Sequence, residues 1–285
     1  MPAPPNLYIR GMTSDVPFEY LAHLLTVPVR VAGEDTRFVF DTGIGLPLVS
    51  QSLADRVGCR PDGSEFTGRR MSGNPVTIPL GRLASLQVGE HQLQDLPVGI
   101  FDMQAMAGLE GIEGFLSLSC FLDVPVTVDY RARLLVVEDD ASLEERATAG
   151  TAVPVAVGRD GYSTDLLLGL DLPGGRPIKV EVDTGSDLLI LDDELAHSAG
   201  VDLADSAIRV SKGTDETGHE FVRRFTSLAD GISVTGAPQL SMAAPPVMFQ
   251  RIIHDGLVGD QFLRNFTITY DLPGSRMIFA RPADA

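Results

Sequence analysis

Short apolar runs rich in β-branched residues recur along the whole chain and predict a protein built mostly from β-strands. Turn-forming stretches such as AGED and LPGGRP separate several of these runs. VSQSLADRVG and LDDELAHSAG each predict a short helix that ends at a glycine. The pattern therefore indicates an all-β fold with a short helix in each half. The predicted strands include VPVRV (27–31), RFVF (37–40), VTIPL (76–80), VTVDY (126–130), LLLGLDL (166–172), IKVEV (178–182) and TITYD (267–271).

The chain also nearly repeats itself, which predicts a tandem duplication. Residues 38–58 align with residues 180–200 at an offset of 142, and seven of these 21 positions are identical, including the triplet Asp-Thr-Gly. GIEG (111–114) pairs with GLVG (256–259) at an offset of 145, and FLDVPVTVDY (121–130) pairs with FLRNFTITYD (262–271) at 141. The change between these two offsets suggests that the first half carries about four extra residues there.

A charged and then small, polar stretch between the repeats predicts the domain boundary. We therefore expect a first lobe at 1–140, a linker or short exposed helix at 141–150, and a second lobe at 151–285.

Each repeat contains an aspartate whose ionisation would be unfavourable if it stood alone. Each places an aspartate, Asp41 or Asp183, between two apolar segments, where ionisation of a single carboxyl is unfavourable. Two such carboxyls that face each other can share one proton, because like charges at short range cannot both ionise easily.

These triplets resemble the active-site loops of aspartic peptidases, in the bilobal, pepsin-like arrangement in which each half resembles a retropepsin subunit. FVFDTG and VEVDTG carry the resemblance, together with a hydrophobic-hydrophobic-Gly segment late in each half. In the second half this segment is Leu257-Val258-Gly259, and in the first half Ile112-Glu113-Gly114 stands in for it. The resemblance implies a two-lobed acid-protease fold with the site in a cleft between the lobes.

The resemblance also implies the chemistry and its residues. Asp41 and Asp183 would be the catalytic pair, one acting as general base on water and the other as general acid on the scissile carbonyl of a peptide or protein substrate. Hydrolysis in this family needs no cofactor and no metal. The residues that would support the two catalytic loops are Thr42, Gly43, Thr184, Gly185 and Ser186.

Hairpin flaps cover the substrate in this family, and two glycine-containing stretches are candidates for them. These are RRMSGNPV (69–76), with Ser72 and Gly73, and TDETGHEF (214–221), with Gly218. Asp187 corresponds to a retropepsin residue that contacts the substrate backbone, whereas the first half has Gly45 at that place. Neither flap candidate contains the tyrosine that pepsin-like enzymes usually carry.

A further departure from the family is Ile44, where a small or hydroxylated residue usually follows the triplet. Its side chain cannot donate a hydrogen bond to the carboxylate, so we expect Asp41 to keep its proton to higher pH. Ser186 supplies the family-like residue in the second half.

The net charge and the lengths of the apolar runs limit the kinds of partner and the cellular location that we expect. A net charge of −17 argues against nucleic acid and anionic membrane surfaces, which require basic patches. No apolar run approaches the roughly 18 residues that span a bilayer. With no signal peptide recognised, we expect a cytoplasmic protein. Because one chain holds both aspartates, a monomer would suffice.

The remaining reactive residues suggest no competing chemistry. Cys59 and Cys120 predict buried free thiols rather than a disulfide framework. The five histidines are scattered and show no zinc-ligand spacing. Two alternatives to an endopeptidase stay open: a peptide-binding or regulatory protein that has lost catalysis, and an enzyme that only processes itself.

Overall fold

A computed structural model describes residues 13–103, 108–214 and 218–281, and most of this part is β-strand. The strands of the first half are β1 (Ser14–Pro17), β2 (Glu19–Leu21), β3 (Leu24–Val31), β4 (Glu34–Phe40), β5 (Leu48–Ser50), β6 (Pro61–Arg69), β7 (Pro75–Val88), β8 (His91–Phe101), β9 (Gly114–Leu116), β10 (Val126–Asp129) and β11 (Leu134–Val137).

The strands of the second half follow. They are β12 (Thr151–Pro154), β13 (Ala156–Asp160), β14 (Ser163–Leu172), β15 (Arg176–Val182), β16 (Leu189–Leu191), β17 (Arg209–Thr214), β18 (Glu220–Ser227), β19 (Ile232–Val234), β20 (Ala237–Met242), β21 (Pro246–Phe249), β22 (Gly256–Val258), β23 (Thr267–Asp271) and β24 (Arg276–Ala280). The helices are α1 (Gln51–Val57), α2 (Asp140–Ala149) and α3 (Asp260–Leu263), and 3-10 turns lie at Leu118–Phe121 and Asp193–Leu195.

Each half builds a sheet of its own around a parallel strand pair. The first sheet has the order β2-β3-β4-β9-β5-β8-β7-β6, and the second has the order β17-β18-β21-β16-β22-β15-β14-β19-β20 with β13 paired to β14. The parallel pair that leads into the triplet is β4 with β9 in the first sheet and β15 with β22 in the second, and each sheet has one further parallel pair, β5 with β8 and β16 with β21. The strands β4 and β15 lead directly into the two Asp-Thr-Gly triplets.

A third sheet contains strands from both halves and joins them. Its order is β1-β11-β10-β23-β24-β12. The strands β10 and β23 pair at its middle, where the buried hydroxyls of Thr127 and Thr269 lie 2.7 Å apart in a hydrogen bond. The antiparallel ladder ties the two halves together by main-chain hydrogen bonds as well.

Strand register corrects the alignment of the late segments. Phe38 lies opposite Gly114 in the first parallel pair, and Val180 lies opposite Gly256 in the second. The first-half counterpart of Leu257-Val258-Gly259 is therefore Phe115-Leu116-Ser117, three residues later than the sequence suggested. Both pairings now keep the offset of 142 shown by the aspartates, so the expectation of about four extra residues was wrong.

The environment of Glu113 shows why Ile112-Glu113-Gly114 is not the counterpart of Leu257-Val258-Gly259. Glu113 lies just before β9 and is not a strand residue. Its carboxylate accepts hydrogen bonds from Arg56, at 2.7 and 2.8 Å, and from the Thr36 hydroxyl at 2.8 Å. It therefore serves a polar cluster at the edge of the sheet, a role that an apolar residue of the family segment could not fill.

The first predicted short helix is confirmed as α1. The Ser50 hydroxyl accepts from the Leu53 amide at 3.0 Å, and Gly58 ends the helix with φ of 73°, a conformation that favours glycine. The second predicted helix was wrong as an α-helix, since only a 3-10 turn forms there. In that turn Asp192 accepts from the amides of Glu194 and Ile252, both at 2.8 Å, which ties the first turn to a distant loop.

Helix α2 occupies the predicted linker and none of its residues is buried. Asp139 and Ser142 form a reciprocal capping box at its start. Arg146 pairs with the buried Glu138 at 3.0 Å, which anchors the helix to the end of β11.

The residue before the first aspartate packs against both halves of the chain. Phe40 is fully buried, and its ring centroid lies 6.0 Å from that of Phe121 and 6.1 Å from that of Tyr270. Edge-to-face aromatic pairs of this kind contribute about 1 kcal/mol each beyond their burial. The strand that leads into Asp41 is thereby held rigidly.

Cys59 and Cys120 are also buried and are free thiols.

Candidate active site

Strand ends place the two aspartates in matching positions. The Asp41 amide donates to the Leu116 carbonyl at 2.9 Å, and the Asp183 amide donates to the Val258 carbonyl at 3.0 Å. Each aspartate therefore begins its loop where a parallel strand pair ends, on backbone that is already fixed. A site supported by strands keeps its geometry better than one on free loops.

The two threonines of the triplets lock the loops to each other. The Thr42 amide donates to the Thr184 hydroxyl at 3.0 Å, and the Thr184 amide donates to the Thr42 hydroxyl at 3.0 Å. Each hydroxyl donates in turn to a carbonyl of the opposite half, Thr42 to Val182 at 2.6 Å and Thr184 to Phe40 at 2.9 Å. The four bonds are buried, so the two loops have little freedom to separate.

The side chains of Asp41 and Asp183 lie close enough that each shifts the pKa of the other. The Gly43 amide donates to Asp41 Oδ1 at 2.9 Å, and the Gly185 amide donates to Asp183 Oδ1 at 2.8 Å. A Cβ atom on either glycine would overlap the aspartate of the opposite half. Glycine at these positions is what allows the carboxyl groups to meet.

Burial and mutual repulsion divide the proton unequally between the pair. Burial, and then the nearby Asp183, raise the pKa of Asp41 well above its ordinary value. Burial also raises the pKa of Asp183, while the Gly185 amide and the Asp41 side chain act to lower it. Asp41 is therefore the member of the pair that holds a proton more readily. The Ile44 amide donates to Asp41 Oδ1 at 3.2 Å and acts to lower this pKa, so the rise comes from burial and Asp183 and does not test the expectation drawn from the Ile44 side chain.

The residues after the second triplet are arranged differently from the expectation. The Ser186 hydroxyl donates to the Leu188 carbonyl at 3.4 Å rather than to the carboxylate, and Ser186 favours ionised Asp183 through its amide, to a smaller extent than Gly185. Asp187 accepts from the Gln261 side chain at 3.2 Å.

The first predicted flap lies at the tip of the β6–β7 hairpin. Within it the Gly73 amide donates to the Arg70 carbonyl at 2.8 Å, and Ser72 accepts from Asn74 at 3.0 Å. The tip reaches the second half, where the Ile253 amide donates to the Met71 carbonyl at 2.9 Å. The hairpin thus bridges the two halves through its tip.

The second predicted flap lies at the β17–β18 hairpin. Gly218, at φ of 85°, is at the turn, whereas residues 215–217 of the stretch lie outside the described residues. The hairpin belongs to the sheet of the second half through β21.

Two titratable side chains near the pair were missed by the sequence analysis. His23, between β2 and β3, places Nε2 3.0 Å from the Gly185 carbonyl of the second half. Glu181 lies two residues before Asp183 on the same strand, and burial followed by Asp183, Asp165 and Asp41 raises its pKa to about 8. The carboxylate in the otherwise apolar run VEV was the available signal for Glu181. No local pattern could have revealed His23.

Comparison with protein families supports a protease. The family model described as an aspartyl protease matches residues 27–119, which include Asp41 and strands β3 to β9. Comparison with curated proteins finds no match to the chain. The matched segment lies within the sheet of the first half, and its mostly β structure is consistent with this family model.

The described residues contain no group of three or more His, Cys, Asp and Glu side chains that could hold a metal ion. Within the same ranges, no helix is long and apolar enough to cross a membrane.

Proposed function

We propose that the chain is an aspartic endopeptidase, with Asp41 and Asp183 as its catalytic pair. The observation that carries the proposal is the close approach of the two aspartates, each packed against the glycine of the opposite triplet, together with the reciprocal hydrogen bonds of Thr42 and Thr184. A buried pair of this kind is unfavourable for stability, so its presence at the junction of two rigid loops argues for a chemical role.

The proton distribution assigns the roles. Asp183, the more readily ionised group, takes a proton from a water molecule as the water attacks the scissile carbonyl carbon. Asp41 gives its proton to the carbonyl oxygen, which forms a tetrahedral diol without a covalent bond to the enzyme. Asp183 then passes its proton to the leaving nitrogen, and Asp41 regains one from the diol as the carbon–nitrogen bond breaks. Atoms and protons balance, and the pair returns to its starting state.

Both halves contribute to this site in the same manner, which supports an origin by tandem duplication and a bilobal organisation. The matching parallel pairs and the constant offset of 142 are the grounds for it. A monomer would be complete, because each half supplies one aspartate. The β6–β7 hairpin would hold an extended peptide against the pair by main-chain hydrogen bonds.

The test is cleavage of a mixed peptide library, followed by mass spectrometry, between about pH 4 and pH 8, with and without pepstatin. We expect pepstatin-sensitive cuts within the peptides, and a loss of at least about a hundredfold in both Asp41→Asn and Asp183→Asn. Asp35→Asn, an exposed carboxylate paired with Arg30, is the control and should keep the rate. Folded protein that binds peptides but cuts none at any pH would contradict the proposal and favour a binding protein.

A further inference from the structure

Strand register makes Val39 and Glu181 equivalent positions in the two halves. Each lies two residues before its aspartate, and each lies opposite the second residue of a parallel partner, Phe115 for Val39 and Leu257 for Glu181. Because side chains alternate along a strand, both point to the same face as the following aspartate. One half therefore presents a methyl-bearing side chain beside the pair, and the other presents a carboxyl.

A second pair of positions shows the same change. The β3–β4 register, extended by one residue, sets Leu24 opposite Asp41. The β14–β15 register, extended by two residues, sets Asp165 opposite Asp183. Directly opposed residues share a face, so Leu24 and Asp165 flank the two catalytic positions in equivalent ways.

The third position lies in the loop before each parallel partner strand. Ile112 precedes Gly114 by two residues, and His254 precedes Gly256 by two residues. We call Leu24, Val39 and Ile112 the apolar flank, and Asp165, Glu181 and His254 the polar flank. In the first half Val39 and Ile112 are buried together, with Leu24 packed against them.

The polar flank leaves its central carboxylate without a hydrogen-bond donor. Glu181 is 9% exposed, and among the described residues no group donates a hydrogen bond to it. The imidazole of His254 places Nε2 3.8 Å from Glu181 Oε2. Within the described part of the chain, Asp165 accepts one hydrogen bond, from the Ser163 hydroxyl at 3.4 Å. A buried carboxylate with so little compensation is costly and favours a ligand that supplies N–H donors and positive charge.

We propose that the polar flank is the subsite for a lysine or arginine side chain next to the scissile bond, and that the apolar flank takes an apolar side chain on the other side of it. This inference rests on the proposed function of Asp41 and Asp183. The three replacements at equivalent positions make the cleft asymmetric, so a peptide would bind in one direction. A guanidinium or ammonium group would supply the donors that Glu181 and Asp165 lack.

The substrate test compares peptides that differ at one residue. Library sequencing identifies the preferred cut, and the flanking residue is then varied among lysine, arginine and norleucine, which keeps the aliphatic stem without the charge. We expect a preference for lysine or arginine over norleucine of about ten- to a hundredfold in kcat/KM, on one side of the bond only. Absence of any such preference on both sides would overturn the inference while leaving the proposed peptidase intact.

The variants use the chain's own first half as a template. Glu181→Gln should reduce the ratio of lysine to norleucine cleavage about tenfold. The combined variant Asp165→Leu, Glu181→Val and His254→Ile copies the apolar flank and should prefer norleucine. Glu144→Gln, on the exposed helix α2, removes one carboxylate elsewhere and should keep the ratio. An unchanged ratio in both flank variants would contradict the inference.

If the wild-type protein cuts no peptide, the proposed function fails and the flank is tested by binding alone. Fluorescence anisotropy with labelled lysine and norleucine peptides then gives the same ratio from dissociation constants. Tighter binding of the lysine peptide that weakens in Glu181→Gln supports the subsite, and equal binding refutes it.

Discussion

Thr42 and Thr184 exchange hydrogen bonds across the boundary between the halves, amide to hydroxyl in both directions and at 3.0 Å each. Both residues are essentially unexposed. Since each hydroxyl also donates to the opposite half, a single threonine joins the catalytic loops through two bonds of its side chain.

Removal of one of these hydroxyls should destabilise the fold. Thr42→Val keeps the shape but leaves the Thr184 amide and the Val182 carbonyl without partners, which should cost about 3 kcal/mol in the free energy of unfolding. Urea denaturation measures it. Thr67→Val is the matched control, because the Thr67 hydroxyl bonds only the exposed Thr77 at 2.8 Å. Equal losses of unfolding free energy in the two variants would show that the hydrogen bonds between Thr42 and Thr184 contribute no more to stability than an exposed threonine pair.

Stability should depend on pH through Glu181. Burial and the carboxylates around it raise its folded-state pKa to about 8, whereas the unfolded chain has the ordinary, lower value. The folded state therefore holds a proton that the unfolded state loses, and the stability that this proton gives is lost as pH rises through about 8. The groups that face Glu181 are Asp165, Asp183, Asp41 and His254.

Glu181→Gln should accordingly flatten the fall in unfolding free energy between about pH 5 and pH 8. Chemical denaturation at the two pH values, in wild type and variant, measures the difference. Lys179, two residues earlier on the same strand, is exposed and forms no ion pair with Glu181 in the described residues, so Lys179→Gln serves as a control. A fall as steep in Glu181→Gln as in wild type would exclude Glu181 as its source.

His23 should hold the second catalytic loop in place and lower the pKa of Asp183. It contacts the Gly185 carbonyl, and its positive form favours ionised Asp183. His23→Phe removes both effects, so the pKa of Asp183 should rise and the acid limb of the kcat/KM profile should move to higher pH. His23→Gln, which keeps a donor, should restore the rate more than the position of the limb. If the acid limb of the kcat/KM profile stays at the same pH in His23→Phe, the proposed effect of His23 on the pKa of Asp183 is refuted.

The tip of the β6–β7 hairpin offers a test of flap closure. Gly73, at φ of 85°, lies so that an added Cβ would come within 2.8 Å of the Ile253 side chain. Gly73→Ala should push the tip away from the second half and raise KM several-fold. Gly63→Ala, at φ of 89° with open space around it, has the same backbone strain without the contact. A similar KM in both variants would show that the contact does not hold substrate.

Much of this architecture could be predicted from the sequence because it depends on patterns of a few neighbouring residues. Alternating apolar strands, the Ser50 cap and the Gly58 stop of α1, and the two Asp-Thr-Gly triplets are all signals of a few residues. The hairpin of the first flap candidate was likewise marked by its turn residues. That the two aspartates meet followed only from the resemblance between the two halves.

The remaining features depend on long-range contacts that no local pattern contains. The alignment of Ile112-Glu113-Gly114 was wrong because two glycines matched by chance, while Glu113 serves Arg56 and Thr36 instead. The helix expected near Asp193 became a 3-10 turn because Asp192 is bound to the Ile252 amide, 60 residues away. His23 reaches Gly185 across 162 residues.

The central claim is that Asp41 and Asp183 act as one unit on one water molecule, and a double-mutant cycle tests it most directly. kcat/KM is measured for wild type, Asp41→Asn, Asp183→Asn and the double variant on the best library peptide. We predict that each single change removes nearly all activity and that the double variant loses no more, as for groups that work together. Single variants that keep substantial activity, or losses that simply add in the double variant, would contradict a shared catalytic pair.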